Sequence, residues 1–172
     1  DRVTMAKQLS GEGSEVMATP CYPTQFGCDA SAAVTYGFDP TRAKALLVEA
    51  GYPNGFEAEF VTFLEPNVGA SVQAYLRAVG IRLRISQMQP AGAIQRHFRG
   101  ETQLYGASWG SYSINDVSAI LPVMFGGGSS DYARDAQLTE LINAGGRTQD
   151  PAARRTAYAA AIKRATEEAY WM

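Results

Sequence analysis

Asp39-Pro40-Thr41-Arg42-Ala43-Lys44-Ala45-Leu46-Leu47-Val48-Glu49-Ala50-Gly51-Tyr52-Pro53-Asn54-Gly55-Phe56-Glu57-Ala58-Glu59-Phe60 contains a helix and a strand with their punctuation. Asp39 suits an N-cap and Pro40 the first helical turn. Ala43, Leu46, Leu47 and Ala50 then fall on one helical face, and Gly51 ends the helix. Tyr52-Pro53-Asn54-Gly55 turns the chain. Phe56, Ala58 and Phe60 alternate with Glu57 and Glu59, which predicts a strand over 56–63 with its glutamates toward solvent. Beyond the Glu65-Pro66-Asn67 loop, Val72, Tyr75, Leu76 and Val79 have helical spacing, closed by Gly80. Ile81, Leu83 and Ile85 alternate with Arg82 and Arg84 as a second strand, whose arginines read as a plain solvated face. Residues 91–99 predict a short helix with Ile94 and Phe98 inward, and the single histidine, His97, on its surface. A buried third strand, Leu104-Tyr105-Gly106-Ala107, runs into Trp109, and 117–124 reads as helix again.

Helices alternating with strands from Asp39 onward predict an α/β fold, a mostly parallel sheet flanked by helices. The crossovers would place the loops after the second and third strands on one edge. Toward the carboxyl end, Gly126-Gly127-Gly128-Ser129-Ser130 is a loop and 135–144 a helix carrying Leu138, Leu141 and Ile142. Asp150-Pro151 starts a last helix, with Ala153, Ala157, Ala161, Ile162, Ala165 and Ala169 along one face. On the amino side, Val3, Met5, Ala6 and Leu9 predict a short amphipathic helix. Residues 11–38 show no period and are broken by Pro20, Pro23, Gly27 and Gly37. The expected organisation is therefore a helix and irregular strap over 1–38, then an α/β ligand-binding lobe over 39–172. Asp1-Arg2-Val3-Thr4 is already helix-like and Tyr170-Trp171-Met172 ends on large apolar residues, which predicts a piece of a longer protein.

The 172 residues are 46% hydrophobic and 19% charged, an ordinary globular composition. A net charge of −2 supplies no basic field for nucleic acid or anionic lipid. No apolar run approaches the ~18 residues of a membrane span. The only cysteines are Cys21 and Cys28, in Cys-Tyr-Pro-Thr-Gln-Phe-Gly-Cys. A disulfide pinning this irregular segment, in an oxidising compartment, is the favoured reading. Two free thiols remain the alternative, since a metal pair lacks further ligands. Nucleophile elbows, phosphate loops, dinucleotide fingerprints and metal-ligand spacings do not occur, and no cofactor or enzymatic activity is expected.

The polar stretch lying where α/β sheets bind ligands, after a strand's carboxyl end, is Ser108-Trp109-Gly110-Ser111-Tyr112-Ser113-Ile114-Asn115-Asp116. Trp109 can stack on a ligand or close the core. Ser111, Tyr112 and Ser113 can offer hydroxyls or form a turn. Asn115 and Asp116 are candidate ligand contacts as well as candidate N-caps.

The run from Tyr36-Gly37-Phe38-Asp39-Pro40 to Gly51-Tyr52-Pro53-Asn54-Gly55-Phe56 resembles a signature of the extracytoplasmic solute-binding proteins of peptide, nickel and opine ABC transporters (family 5). Val79-Gly80-Ile81, the Trp109 loop, Tyr132-Ala133-Arg134-Asp135 and the Asp150–Arg155 helix start with its Ala169-Tyr170-Trp171 end are similar to the same family, the dipeptide-binding branch above all. The resemblance implies a type II periplasmic binding protein lobe, most of the C-terminal lobe of a two-lobed protein. It implies a periplasmic location, a peptide or related small solute as ligand, an inner-membrane permease as partner, and an N-terminal lobe that completes the site. Dipeptide binders of this family place an aspartate in the Trp loop to receive the peptide amino group, in a loop usually richer in acids and proline; here the matching stretch has Ser111, Ser113 and Ile114, and only Asp116 remains as a candidate. They also often carry an arginine where this chain has Asn67-Val68-Gly69-Ala70; here only the helix amino terminus could receive an anion. These departures point beyond a plain dipeptide, to a modified peptide, an opine or another amphiphilic solute. A sensor domain, or a periplasmic enzyme or chaperone, on the same fold is the alternative.

Overall fold

The computed structural model describes residues 1–111 and 113–171. Its elements are α1 (Arg2–Leu9), α2 (Pro40–Glu49), β1 (Glu57–Thr62), α3 (Pro66–Ala78), β2 (Arg82–Gln87), α4 (Pro90–Phe98), β3 (Leu104–Gly106), α5 (Leu121–Phe125), α6 (Ala136–Arg147) and α7 (Pro151–Glu167). They form two compact units: residues 1–16 with 37–108, and residues 17–36 with 109 onward.

In the first unit Asp39 caps α2 as expected, its carboxylate accepting from the Arg42 N–H at 2.9 Å. Gly51, at φ +85, ends the helix in a backbone conformation that favours glycine. β1 lies between β2 and β3 in a parallel sheet, with Glu57 opposite Arg82 and Phe60 opposite both Ile85 and Leu104. The carboxyl ends of β2 and β3 therefore lie at the same edge of the parallel sheet, on either side of β1, as expected. Ala58, Phe60 and Leu83 are buried against Phe56, Val72, Leu76, Ile81, Ile85 and Leu104. Val61 and Thr62 are wholly buried too, as a central parallel strand covered on both faces requires. The Thr62 hydroxyl donates to the Gly106 carbonyl at 3.0 Å and accepts from the Leu64 N–H at 3.0 Å, so it is buried without an orphaned polar atom. A Cβ on Gly55 would lie 1.9 Å from the Gly80 carbonyl oxygen. The turn into β1 and the turn into β2 therefore touch backbone to backbone, and both sit at positive φ. That contact is the physical content of the Asn-Gly-Phe and Val-Gly-Ile motifs.

Four expectations in this unit are corrected. β3 is a half-buried strand of three residues, not a buried run through Ala107. Phe98 points outward, 51% exposed, and the inward face of α4 is Ala93 and His97, one position earlier in the turn. His97 is buried, not on the surface: its ring stacks on Tyr105 at 4.2 Å and Nδ1 lies 3.3 Å from the Thr102 hydroxyl. A flat partner and a hydroxyl let an imidazole replace an aliphatic core residue. Glu59 is not on a solvated face. Its side chain is 14% exposed and is gripped by Arg96 of α4 at 3.0 Å and by the Ser86 hydroxyl of β2. The hydrogen bond from Arg96, then that from Ser86, pulls the carboxyl down to about 2. Arg82, by contrast, meets Glu57 at 3.2 Å with both side chains more than half exposed, a pair worth little.

The second unit is helical. Cys21, Val117, Ile120, Leu121, Phe125, Leu138, Ile142, Tyr158, Ala161, Ile162 and Ala165 form its core. The helix expected over 117–124 is a 3-10 turn, Val117–Ala119, followed by α5. Pro122 offers no N–H to continue the preceding turn but suits the start of a new helix. α6 runs past Ala144 through Gly145 and Gly146. Asp150 caps α7, accepting from the Ala152 N–H at 3.1 Å. The buried face of α7 is Tyr158, Ala161, Ile162, Ala165 and Thr166, whereas Ala153 is exposed and Ala169 lies beyond the helix at φ +55. The alanine stripe is thus rotated, because one large ring, Tyr158, fills the space that Gly145 leaves open. The Thr166 hydroxyl accepts from the Val34 N–H at 2.9 Å, and the Tyr36 hydroxyl donates to the Glu167 carbonyl at 2.8 Å, which ties the strap to α7. Cys21 and Cys28 are disulfide-bonded. Among the described residues no helix is long and apolar enough to cross a membrane.

Candidate functional site

The polar stretch 108–116 begins in the first unit and continues, from Trp109, in the second. Within the second unit its main chain is held by the loop between the two cysteines. Phe26 donates its N–H to the Asn115 carbonyl at 3.0 Å, and its own carbonyl accepts from Val117 at 3.0 Å, forming a parallel bridge to Asp116. Gln25 is buried, 6% exposed. Its Nε2 donates to the Ile114 carbonyl at 3.1 Å and its Oε1 accepts from the Tyr22 N–H at 3.0 Å. The Tyr22 hydroxyl donates to the Trp109 carbonyl at 3.0 Å. A turn closed by the Ile114 N–H on the Ser111 carbonyl, at 2.9 Å, places Ser113 at φ +63. Holding a non-glycine residue there costs about 1 kcal/mol, met by the bonds around it. Between the two loops lies a groove of about 230 Å³, bounded by Tyr22, Thr24 and Gln25 on one side and Ser111, Ser113, Ile114 and Asn115 on the other. It is shallow and open, with hydroxyl and amide side chains beside Ile114 on a fixed main chain. Such a surface can orient a small solute by hydrogen bonds, and among the described residues it holds no nucleophile–base pair.

The residues expected here from the sequence fare differently. Trp109 is half-buried and packs on the core of its unit. Ser111 and Asn115 line the groove, the Asn115 side chain on the exposed side. Tyr112 lies outside the described residues. Asp116 is half-buried, and its carboxylate has two partners in the chain. It accepts from the Ser118 N–H at 2.9 Å, capping the 3-10 turn, and pairs with Arg154 of α7 at 3.0 Å. Arg154 also reaches the Tyr158 hydroxyl at 3.3 Å and the Gly145 carbonyl at 3.2 Å. The bond to Tyr158, followed by the attraction of Asp116, holds its guanidinium still more firmly charged. Tyr22, Thr24 and Gln25 were not anticipated. The available signal was the short cysteine-closed loop itself, a device for fixing an irregular segment.

Two other candidate sites carry less. In the first unit a cavity of about 420 Å³ lies against Glu57, Glu59, Arg82, Arg84 and Gln103. It sits at the amino ends of the strands, away from the end where α/β sheets bind ligands. Its carboxylates already face guanidinium groups. The amino terminus of α3 is also occupied internally, since the Val68 N–H meets both the Glu65 carbonyl and Asn67 Oδ1 at 2.9 Å. Among the described residues no three His, Cys, Asp or Glu side chains gather as a metal site.

The family model for bacterial extracellular solute-binding proteins, family 5 Middle, matches residues 1–131. The chain belongs to this family. The glutathione-binding protein GsiB of Shigella dysenteriae serotype 1 is 26% identical over an alignment of 152 positions, gaps included, that covers 78% of this chain and 29% of GsiB. HbpA2 from Haemophilus parasuis superposes with a TM-score of 0.88 at 24% identity, over 97% of this chain and 35% of its own. The periplasmic binding protein DppA from Helicobacter pylori, in complex with peptide STSA, superposes with a TM-score of 0.80 at 25% identity, over 89% of this chain and 31% of its own. The chain thus spans about a third of the length of these family 5 relatives. Its fold is that of a type II periplasmic binding protein, α/β with a parallel sheet flanked by helices. Family 5 is a family of binding proteins, and its members are extracytoplasmic.

Proposed function

We propose that this chain is most of the C-terminal lobe of a two-lobed periplasmic protein that carries a peptide or a related small amphiphilic solute to an inner-membrane ABC permease. The observation that supports this best is the groove along 109–115: polar side chains on a braced main chain, in a member of a solute-binding family. Ser111 and Asn115 would hydrogen-bond the solute, and Trp109 and Tyr112 would contact its flatter or apolar parts. The relatives are consistent with such ligands, one being named for glutathione and one holding a tetrapeptide. Asp116 differs from a free anionic acceptor because Arg154 neutralises it. A ligand ammonium would have to compete with that guanidinium, which favours solutes that do not rely on one ammonium–carboxylate pair.

The expected mechanism is binding without chemistry. The second lobe, contributed by the rest of the full-length protein, would close over the groove. The ligand would shift the open–closed equilibrium by its higher affinity for the closed state, and the closed form would dock on the permease. Titration calorimetry with Ser-Thr-Ser-Ala and with glutathione, into the full-length protein and into this chain alone, tests the proposal. Saturable binding to the full-length protein and none at micromolar concentration to the chain alone is expected. Micromolar binding to the chain alone would overturn the two-lobed site. Failure of both solutes and of a short-peptide panel to bind the full-length protein would overturn the ligand class.

A further inference from the structure

We propose that the loop closed by Cys21–Cys28 is the second wall of the solute groove, and that Gln25 is the positioning residue that fixes the ligand-facing 109–116 segment to it. This rests on the reading of 109–116 as the ligand segment.

Between its cysteines the loop carries Tyr22-Pro23-Thr24-Gln25-Phe26-Gly27, and three of these side chains or main-chain groups reach across the groove. Tyr22 holds Trp109, Gln25 holds Ile114, and Phe26 holds Asn115 and Val117. These contacts fall on both sides of Ser111 and Ser113, so they fix the segment at each end of its exposed turn. Gln25 is the central one. A carboxamide is both donor and acceptor, and here its acceptor closes its own loop on Tyr22 while its donor crosses to Ile114. No other side-chain type of that length supplies both ends. Phe26 is in turn placed by α7, with the guanidinium carbons of Arg154 and Arg155 at 4.9 and 4.4 Å from its ring centre. The disulfide ties the two ends of the loop, and the Thr19 hydroxyl bonds the Cys21 carbonyl at 2.9 Å. Tyr22 and Thr24 are left exposed beside the groove, whereas Gln25 is buried with both ends of its carboxamide engaged and is a positioning residue.

Gln25→Glu separates the two roles. It keeps the acceptor for Tyr22 and sets a carboxylate oxygen against the Ile114 carbonyl, whereas Gln25→Met of similar length removes both bonds. Amide hydrogen exchange on the full-length protein reads the result without any ligand. Loss of one buried hydrogen bond of ordinary strength corresponds to about a fivefold faster opening. Residues 113–117 are expected to exchange at least fivefold faster in both variants, the Tyr22 amide faster in Gln25→Met only, and α7 unchanged in both. Reduction by an excess of a dithiol gives two thiols and the oxidised cyclic dithiol, and should speed exchange over the same 113–117 segment. Unchanged exchange at 113–117 in Gln25→Glu, or acceleration spread evenly over α7, would overturn the proposal, as would reduction felt only within 20–28. Ser-Thr-Ser-Ala titration of the same samples keeps the two claims apart. A wild-type protein that binds no peptide counts against the ligand assignment while the exchange result still decides the role of Gln25. A protein that binds equally well in wild type and Gln25→Glu, with altered exchange, excludes Gln25 as a determinant of affinity.

Discussion

Replacing Asp116 separates a structural carboxylate from a ligand-binding one. In the structure this group accepts from the Ser118 N–H at 2.9 Å and pairs with Arg154 at 3.0 Å, both side chains about one-fifth exposed. Loss of an N-cap acceptor costs about 1 kcal/mol. Loss of a partly solvated pair, with Arg154 keeping its bonds to Tyr158 and Gly145, adds about 0.5–1 kcal/mol after screening. Asp116→Ala should therefore lose roughly 1.5–2 kcal/mol, which lowers the Tm of a domain this size by about 3–8 °C. Asp116→Asn keeps an acceptor for Ser118 and should lose only the ion-pair part, about 0.5–1 kcal/mol. In a double-mutant cycle with Arg154→Met, Asp116→Asn should couple by about 0.5–1 kcal/mol. Thermal unfolding followed by circular dichroism measures all of these, and solute affinity of the full-length protein measured alongside should fall less than tenfold in Asp116→Asn. A stable Asp116→Ala protein whose solute binding is abolished would refute this reasoning and return Asp116 to the role of ammonium acceptor.

Adjacent glycines in α6 should respond with opposite signs. A Cβ at Gly145 would lie 2.5 Å from the buried Tyr158 ring, whereas Gly146 has open space; in urea unfolding Gly145→Ala should lose about 1–2 kcal/mol and Gly146→Ala gain about 0.4–1 kcal/mol. Glu59 titrates at about 2 in the fold, below its ordinary 4.5, so it stabilises the fold above pH 4.5 and that contribution is lost as pH falls from about 4.5 toward about 2. Stability measured against pH should be flatter over that interval in Glu59→Gln than in wild type, and parallel profiles would contradict the Arg96–Ser86–Glu59 grip. Phe98→Ser should leave stability nearly unchanged and His97→Ser should not, because only His97 is buried.

The features legible in the sequence are those set by neighbours along the chain. Asp39-Pro40 and Asp150-Pro151 cap helices by bonds spanning two or three residues, and the start of β1 follows the alternation of Glu57, Ala58 and Phe60, which its buried end does not. Gly55 and Gly80 were visible as motifs, though their mutual contact was not. The parts that were missed depend on distant partners. His97 is buried because Tyr105 and Thr102 receive it, and nothing within α4 announces that. The face of α7 turns about Tyr158, which needs the gap at Gly145 to fit. Gln25 acts on a carbonyl 89 positions later in the chain. The candidate segment 109–116 was singled out by its place after a strand, whereas the pairing of Asp116 with Arg154, 38 positions away, was not visible in the sequence.

Solute release from the purified full-length protein tests the binding role most directly. Small molecules freed by denaturation are identified and counted by mass spectrometry for wild type and for Asn115→Trp, whose exposed side chain would fill the groove without touching the core. A peptide or small amphiphilic solute recovered near one per wild-type protein and depleted at least tenfold in a folded Asn115→Trp protein is the expected result. Equal recovery from both proteins would contradict a solute site at 109–116.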